Sequence, residues 1–281
     1  MSASPTPATP APATSRAGRN LPAAIASGVG LGVAVILSLV FWPPAFMVVV
    51  VAAVLVAVWE LGHAFATGDI RLTREPVMGG GVLMVLAAFL FGAPALVTAT
   101  ALTALGSMLW RLRGGVVGYV KDMTASVFTI IYVPFLGGFV ALMLGEDRGA
   151  LAVVTFILVT IASDIGGYAV GVVAGRHPMA KVISPKKSWE GFAGSAVSCV
   201  VVGWLAVSVL LDGRWWVGVL LGLIAVVMAT LGDLCESVIK RDLGIKDMSQ
   251  IIPGHGGLMD RLDSLLATAA PTWLLLHYLI F

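Results

Sequence analysis

Residues 233–264 concentrate ionisable side chains and glycines in a sequence that is otherwise mostly apolar. Asp233, Glu236, Ser237 and Lys240 lie at spacings of three and four at the end of an apolar run, so on a helix they share roughly one face. Carboxylate oxygens suit Mg²⁺, which proteins usually hold through one or two carboxylates together with substrate phosphates. Lysine and arginine side chains neutralise phosphate charge. The residue types therefore predict a site that binds a metal ion and phosphate groups.

A loop and a second helix follow this face and add to the same chemistry. The helix is expected to begin at Asp260 and to carry Arg261 and Asp263, which places two carboxylates close together. Glycines in the loop let backbone N–H groups approach a phosphate closely. The polar and glycine residues of this loop are Lys246, Asp247, His255, Gly256 and Gly257.

The competing interpretation is a solvated loop between two membrane helices, whose charges only set topology. Asp233 would then lie about 10 Å below Lys240 along the helix, because an α-helix rises about 1.5 Å per residue. A carboxylate at that depth costs a few kcal/mol unless it faces a cavity, a partner or a metal ion. This cost favours a functional site.

The order of residues from Ser237 to Asp263 resembles the signature of the phosphatidate cytidylyltransferases, also called CDP-diacylglycerol synthases. The matching positions are Ser237, Ile239, Lys240, Arg241, Lys246, Asp247, Ser249, Ile252, Pro253, His255, Gly256, Gly257, Leu258, Asp260, Arg261, Leu262 and Asp263. So many specified positions make this match far more specific than a single glycine-rich motif.

Two earlier stretches are similar to further segments of the same family. They are Ser163-Asp164-Ile165-Gly166-Gly167-Tyr168 and Ser184-Pro185-Lys186-Lys187-Ser188-Trp189-Glu190-Gly191. The sequence departs from the family at Ser188, where threonine is expected, and at Ile165 and Gly167, which weakens the case for those two as direct contacts. Asp164 lies deep in a predicted span and must face protein, water or a ligand. A structural hydrogen bond to a neighbouring helix stays open as the alternative to a polar pocket.

The resemblance implies that CTP and phosphatidic acid condense to CDP-diacylglycerol and pyrophosphate. The lipid phosphate would be the nucleophile, and it needs no general base because a second pKa of about 6 leaves it largely dianionic at pH 7. The expected partners are CTP and phosphatidic acid in the bilayer, without nucleic acid. The first half of the chain would build a lipid-facing wall, and a homodimer contact is a further role open to it.

The resemblance also implies roles for individual residues. The expected catalytic residues are Asp233, Lys240, Asp260, Arg261 and Asp263. Asp233, Asp260 and Asp263 would hold Mg²⁺, with or without a second cation. The expected substrate-binding residues are Asp164, Ser184, Lys186, Lys187, Ser237, Arg241, Lys246, Asp247, His255, Gly256 and Gly257.

The elements that must position these residues are membrane helices. Of the 281 residues, 59% are hydrophobic and 11% are charged, whereas soluble domains carry about 25% charged residues. The apolar runs predict an all-α polytopic membrane bundle of about nine transmembrane helices. The predicted spans are near 21–41, 45–66, 78–92, 94–110, 122–144, 149–174, 191–211, 215–239 and 261–281.

This pattern divides the chain into three parts. Residues 1–20 are rich in proline, alanine, serine and threonine and predict a disordered tail. Residues 21–145 are expected to form the N-terminal transmembrane helices, and residues 146–281 the C-terminal transmembrane catalytic region. If the tail is cytoplasmic, Arg148 and Arg214 are the only two of the 17 basic residues outside. The positive-inside rule then predicts a cytoplasmic N-terminus and a cytoplasmic active site, in the plasma (inner) membrane.

Two smaller patterns have structural interpretations. Glu60 and His63 lie three apart near the end of the second span, and a hydrogen-bonded helix-end contact is favoured over a metal-ligand pair. Glycines four apart, such as Gly218 and Gly222, predict close approach of helices in lipid.

Two other kinds of function compete with the cytidylyltransferase interpretation. A transporter would use Asp164 and Asp233 as ion or proton sites, but no internal repeat is evident and polar residues gather on one side. A polyprenol kinase or another CTP-dependent lipid nucleotidyltransferase is closer in chemistry. A purely structural scaffold would leave the buried acids unexplained.

Overall fold

The computed structural model describes residues 30, 32–39, 41–251 and 256–281. The predicted tail, residues 1–20, lies outside these residues, and so does His255, which was predicted to bind substrate. The first predicted span, 21–41, is described only in part, and its residues 32–39 are helical.

Helices make up most of the described chain, as the apolar runs predict. The helices are α1 (Pro43–Thr67), α2 (Arg74–Phe91), α3 (Ala93–Arg111), α4 (Tyr119–Ile130), α5 (Leu136–Leu144), α6 (Gly149–Ala174), α7 (Trp189–Leu210), α8 (Trp215–Asp242) and α9 (Met259–Leu279). A π-helical segment, Ile131–Phe135, joins α4 to α5 and contains Pro134. Proline lacks a backbone N–H, so the α-helical hydrogen bonds change there while the chain keeps its direction.

Seven helices of the described chain are long and apolar enough to cross a membrane. Among them, α4, the π-helical segment and α5 form a single span, Tyr119–Leu144. Helix α9 has a comparable length but begins with charged residues, and it is not one of the seven. The prediction of a polytopic helical membrane protein is confirmed. Each predicted span from 45–66 to 261–281 coincides with a helix to within a few residues.

Close packing of α7 against α8 depends on glycine. Gly222 on α8 faces α7, where an added Cβ would lie 2.6 Å from the Cα of Val200 and 2.5 Å from the carbonyl oxygen of Cys199. Side-chain atoms do not approach a backbone so closely, so the two helices can meet here only because the Cβ is absent. This confirms the close approach predicted from Gly218 and Gly222.

A small β-hairpin connects α6 to α7. Strands β1 (Pro178–Ala180) and β2 (Ser184–Ser188) pair in antiparallel orientation. The sequence predicted a loop here, between the spans 149–174 and 191–211, and the structure forms a short hairpin instead. The carboxylate of Glu190 fixes the base of the hairpin, since it accepts hydrogen bonds from the backbone N–H groups of Arg176 at 3.1 Å and His177 at 3.2 Å.

Connections between the helices alternate between the two ends of the bundle, because successive helices run in opposite directions. The hairpin and the connections that follow α1, α3 and α8 lie at one end. Within the described ranges, Arg148 and Arg214 are the only lysines or arginines at the opposite end. The polar loops and the predicted site residues therefore share one end, which is called the polar end below.

Candidate active site

A cavity of about 300 Å³ lies at the polar end, between α6, α7, α8 and the β-hairpin. Its lining includes several predicted site residues: Asp164, Ser184, Lys186, Lys187 and Asp233. Helix α6 contributes Asp164, the hairpin contributes the serine and both lysines, and α8 contributes Asp233. Three segments that are far apart in the chain thus meet around one cavity.

Asp233 opens onto this cavity, with its side chain 35% exposed. The Nζ of Lys187 lies 2.6 Å from one carboxylate oxygen, and the hydroxyl of Ser237 donates to the other at 3.2 Å. Asp164 and Asp263 both lie within electrostatic range of Asp233. Negative charge is therefore concentrated around Asp233, and a lysine from the hairpin partly neutralises it.

Lys240 joins α8 to α9 beside the cavity. Its Nζ donates to Glu236 Oε2 at 2.6 Å and to Asp260 Oδ1 at 2.7 Å. Glu236 is 1% exposed, and its other oxygen has no hydrogen-bond partner in the described part of the chain. A buried carboxylate needs compensating charge, so these three side chains hold one another in place. The sequence placed Glu236 on the same helix face as Lys240 but assigned it no catalytic or binding role, although its spacing of four from Lys240 is a signal for such a pair.

Asp260 also organises the loop that precedes α9. Its second oxygen accepts hydrogen bonds from the backbone N–H groups of Met248, at 3.0 Å, and Gly257, at 2.9 Å. Gly256 has a φ of +87°, a left-handed conformation that glycine adopts without steric cost. The predicted glycines therefore shape this loop, and their direct contact with phosphate stays a prediction.

Glu60 of α1 contacts this loop, although it was not among the predicted site residues. Its carboxylate is 0% exposed and accepts hydrogen bonds from the N–H groups of Leu258, at 2.9 Å, and Met259, at 2.6 Å, and from the hydroxyl of Ser249. The predicted hydrogen-bonded contact is confirmed for Glu60. His63 instead bonds to a backbone carbonyl of its own helix at 2.9 Å, so the two side chains do not act as a ligand pair. No local pattern links α1 to a loop so far along the chain.

The remaining predicted residues lie around this centre. Asp263 is buried, and one of its oxygens accepts a hydrogen bond from the N–H of Ser264 at 2.6 Å. The Nε of Arg241 donates to the carbonyl of Ile183 in the hairpin at 3.4 Å. The predicted residues that are exposed outside the cavity lining are Arg241, Lys246, Asp247 and Arg261. Lys246 and Asp247 lie in the loop rather than in the cluster around Lys240.

Ser188 stands where the resemblance led us to expect threonine. Its hydroxyl accepts a hydrogen bond from the N–H of Gly191 at 3.1 Å and so caps the first turn of α7. Serine and threonine both provide this oxygen, so the departure preserves the local structure that links the hairpin to α7.

The donor set suits a hard cation such as Mg²⁺. Asp233, Asp260 and Asp263 offer carboxylate oxygens, and a carboxylate oxygen that accepts one hydrogen bond retains a further lone pair. Within the described residues, no group of three or more acidic, histidine or cysteine side chains is already arranged to hold a metal ion. Mg²⁺ needs fewer protein ligands, because it keeps several waters and is completed by substrate phosphates. One or two of these carboxylates, above all Asp233 at the cavity, would therefore suffice for such an ion, and a site formed by all three stays a prediction.

The sequence is similar to known proteins over almost its whole length. A model of the cytidylyltransferase family matches residues 22–279. A phosphatidate cytidylyltransferase of Mycobacterium bovis is 41% identical, over 96% of this chain and 92% of that protein. Those of Mycobacterium leprae and Helicobacter pylori are 40% identical over 95% of this chain and 90% of that protein, and 34% identical over 60% and 63%.

Proposed function

Because this chain belongs to the phosphatidate cytidylyltransferase family, we propose that it transfers the cytidylyl group of CTP to phosphatidic acid, forming CDP-diacylglycerol and pyrophosphate. The observation that carries the proposal is the meeting of Asp164, Lys187 and Asp233 around one cavity at the end of a membrane bundle. A site in this place can take a water-soluble nucleotide from the loop side and a lipid headgroup from the bilayer side.

The reaction is a nucleophilic substitution at phosphorus. An oxygen of the phosphatidic acid phosphate attacks the α-phosphorus of CTP and forms a new P–O bond. The bond from the α-phosphorus to the oxygen that bridges it to the β-phosphate breaks, and pyrophosphate leaves with the electron pair. A phosphate monoester with a second pKa of about 6 is largely dianionic at pH 7. The attacking oxygen therefore needs no side chain to remove a proton.

The main barrier to this reaction is electrostatic, because two polyanions must approach each other. Lys186 and Lys187 line the cavity and Lys240 lies beside it, so their ammonium groups are placed to bind phosphate oxygens. Asp233 and Asp260 orient two of these lysines through contacts of 2.6 Å and 2.7 Å. Positioning of the reactants together with charge neutralisation accounts for catalysis without a covalent intermediate.

We assign the magnesium ion to Asp233, and Asp260 and Asp263 stay predicted further ligands, because the described residues do not already bring three such side chains together around an ion. Mg²⁺ bound there would neutralise the phosphate oxygens of the nucleotide and the departing pyrophosphate. Support comes from the partly exposed carboxylate of Asp233, which opens onto the cavity and lies within electrostatic range of Asp263. Asp260 holds Lys240 with one oxygen and the loop with the other, so its role extends to positioning.

Location in the plasma membrane with a cytoplasmic site also belongs to the proposal. The positive-inside rule supports it, because the basic residues gather at the polar end and nucleotide is available in the cytoplasm. The homodimer stays a prediction. Helices α2 and α3 carry exposed apolar side chains, including Leu90 and Leu105, which lipid or a second copy would cover equally well.

The test uses the full-length chain in detergent with Mg²⁺, phosphatidic acid and CTP labelled in either the α- or the γ-phosphate. Cytidylyl transfer puts only the α label into lipid, because the γ-phosphate leaves within pyrophosphate. A polyprenol kinase would put the γ label into added polyprenol. If neither label enters lipid when phosphatidic acid is present, the proposal is refuted.

A further inference from the structure

Glu60 reaches the loop before α9 from the other half of the chain. Its buried carboxylate accepts hydrogen bonds from the Ser249 hydroxyl on the incoming side of this loop. It also accepts from the N–H groups of Leu258, at 2.9 Å, and Met259, at 2.6 Å, on the outgoing side. A single side chain of α1 therefore joins the two ends of the loop.

Asp260 makes a second connection between the same two ends. One of its oxygens accepts from the N–H groups of Met248, at 3.0 Å, and Gly257, at 2.9 Å. Its other oxygen accepts from Lys240 at 2.7 Å, which ties this connection to α8. Glu60 and Asp260, together with the loop groups that they bind, are called the carboxylate clasp below. The clasp links α1, α8 and α9 through the loop.

Gly257 lies between the two carboxylates of the clasp. An added Cβ at this position would be 2.9 Å from Asp260 Oδ2 and 3.0 Å from each carboxylate oxygen of Glu60. The absence of a side chain here therefore lets both carboxylates approach the loop backbone together.

The buried position of Glu60 requires compensating interactions, because an isolated carboxylate is strongly disfavoured away from water. The first N–H groups of a helix have no partner within the helix, and the positive end of the helix dipole favours an anion. Leu258 and Met259 provide such N–H groups at the start of α9. The Glu60 carboxylate thus provides acceptors for the unpaired N–H groups at the start of α9, and these N–H groups compensate its buried charge. A neutral or shorter side chain would leave some of these donors without a partner.

We propose that Glu60 is a positioning residue for cytidylyl transfer. It holds both ends of the loop, and so keeps Asp260 within hydrogen-bonding distance of Lys240. Glu60 does not touch the reactants. Through this residue the N-terminal helices help to position the catalytic residues, in addition to forming a lipid-facing surface. The catalytic consequence rests on the proposed function, whereas the structural link between α1 and the loop does not.

Glu60→Gln in the full-length chain tests this role. The amide nitrogen cannot accept a hydrogen bond, so at least one donor at the loop ends loses its partner. We expect kcat with CTP and phosphatidic acid to fall about 10- to 100-fold, because small displacements of reacting groups have effects of this size, while KM for CTP changes less than about threefold. Glu60→Asp keeps the charge on a shorter side chain and should fall between the wild type and Glu60→Gln.

Hydrogen exchange followed by mass spectrometry gives a readout that does not depend on turnover. In Glu60→Gln, peptides that contain residues 248–249 and 257–259 should exchange faster, while peptides from α6 and α7 should exchange as in the wild type. Ser249→Ala removes one of the three hydrogen bonds to Glu60 and should produce a smaller change in the same peptides.

His63→Gln is the matched control, because His63 is exposed one turn along α1 and bonds to its own helix. It should change neither turnover nor exchange. The inference is overturned if Glu60→Gln retains wild-type kcat and exchange, or if exchange rises equally in all helices, which would indicate a general loss of stability. If the wild type transfers no cytidylyl group, the proposed function fails, and the exchange comparison still decides whether the clasp exists.

Discussion

The Nζ of Lys240 on α8 lies 2.7 Å from Oδ1 of Asp260 on α9, and this contact joins the two helices that carry the signature residues. The two side chains are only 16% and 9% exposed. Removing one member of a buried ion pair leaves an uncompensated charge, so such a pair is more sensitive to substitution than one at the surface. The same contact couples Lys240, the proposed phosphate-binding cation, to the carboxylate that anchors the loop.

Replacement of Asp260 should stop the reaction while leaving the bundle folded. In Asp260→Asn the charge opposite Lys240 is lost and the loop loses an anionic acceptor, so we expect turnover to fall at least about 100-fold. Lys240 keeps its 2.6 Å contact with Glu236, which limits the effect on stability. Transfer of α label into lipid measures turnover, and elution as a single species in size-exclusion chromatography checks the fold. Near wild-type turnover would show that the role given to Asp260 is wrong.

Replacing Lys187 should lower kcat/KM far more than replacing another lysine of the same hairpin segment. Its Nζ lies 2.6 Å from Asp233 and it lines the cavity, so Lys187→Met removes a cation at the phosphate site. We expect kcat/KM for CTP to fall about 100-fold, the usual effect of removing one charge-stabilising donor. Lys181→Met is the control, because Lys181 is exposed between the strands and outside the cavity lining. Equal losses in both variants would point to a general effect of hairpin charge.

Removal of Mg²⁺ should abolish turnover, and Asp233→Asn should raise the concentration of Mg²⁺ that gives half-maximal rate. A neutral amide is a poorer ligand for this hard cation, so we expect a rise of at least about tenfold. The measurement is a Mg²⁺ titration after treatment with a chelator. Asp212→Asn serves as the control, since Asp212 pairs with Arg148 at the opposite end of the bundle and its φ of +51° suits asparagine. An unchanged Mg²⁺ dependence in Asp233→Asn would show that Asp233 is not a ligand of the metal ion.

Alanine at Gly222 should destabilise the packing of α7 against α8. Its Cβ would lie 2.5 Å from the carbonyl oxygen of Cys199, and a backbone cannot yield as the end of a side chain can. Overpacking of this kind typically costs about 1–3 kcal/mol, which thermal unfolding in detergent would detect as a lower Tm. Gly106→Ala, where no atom lies within 4 Å of the added Cβ, should leave Tm unchanged or raise it. A Tm for Gly222→Ala at or above that of Gly106→Ala would contradict the close approach.

The helices of this protein could be predicted because the membrane leaves few alternatives. Backbone groups in hydrocarbon must form hydrogen bonds within their own segment, so an apolar run of sufficient length becomes a helix whatever it packs against. Alternation of helices across the bundle then separates Arg148 and Arg214 from the other described basic residues. The signature residues were recognisable for a related reason, since closely spaced residues such as Asp233, Ser237 and Lys240 share a face through local geometry alone.

The sequence by itself determined the spans, the two ends of the bundle and the residue types of the site. Only the tertiary structure decided that Glu60 binds the loop ends, that Lys187 of the hairpin meets Asp233, and that Lys240 links Glu236 to Asp260. The physical reason is that hydropathy and helical periodicity describe each helix separately, whereas these contacts depend on which helix faces pack together. The spacing of Gly218 and Gly222 predicts that some helix approaches closely, but the sequence does not show which helix it is, because similar apolar helices offer many alternative partners.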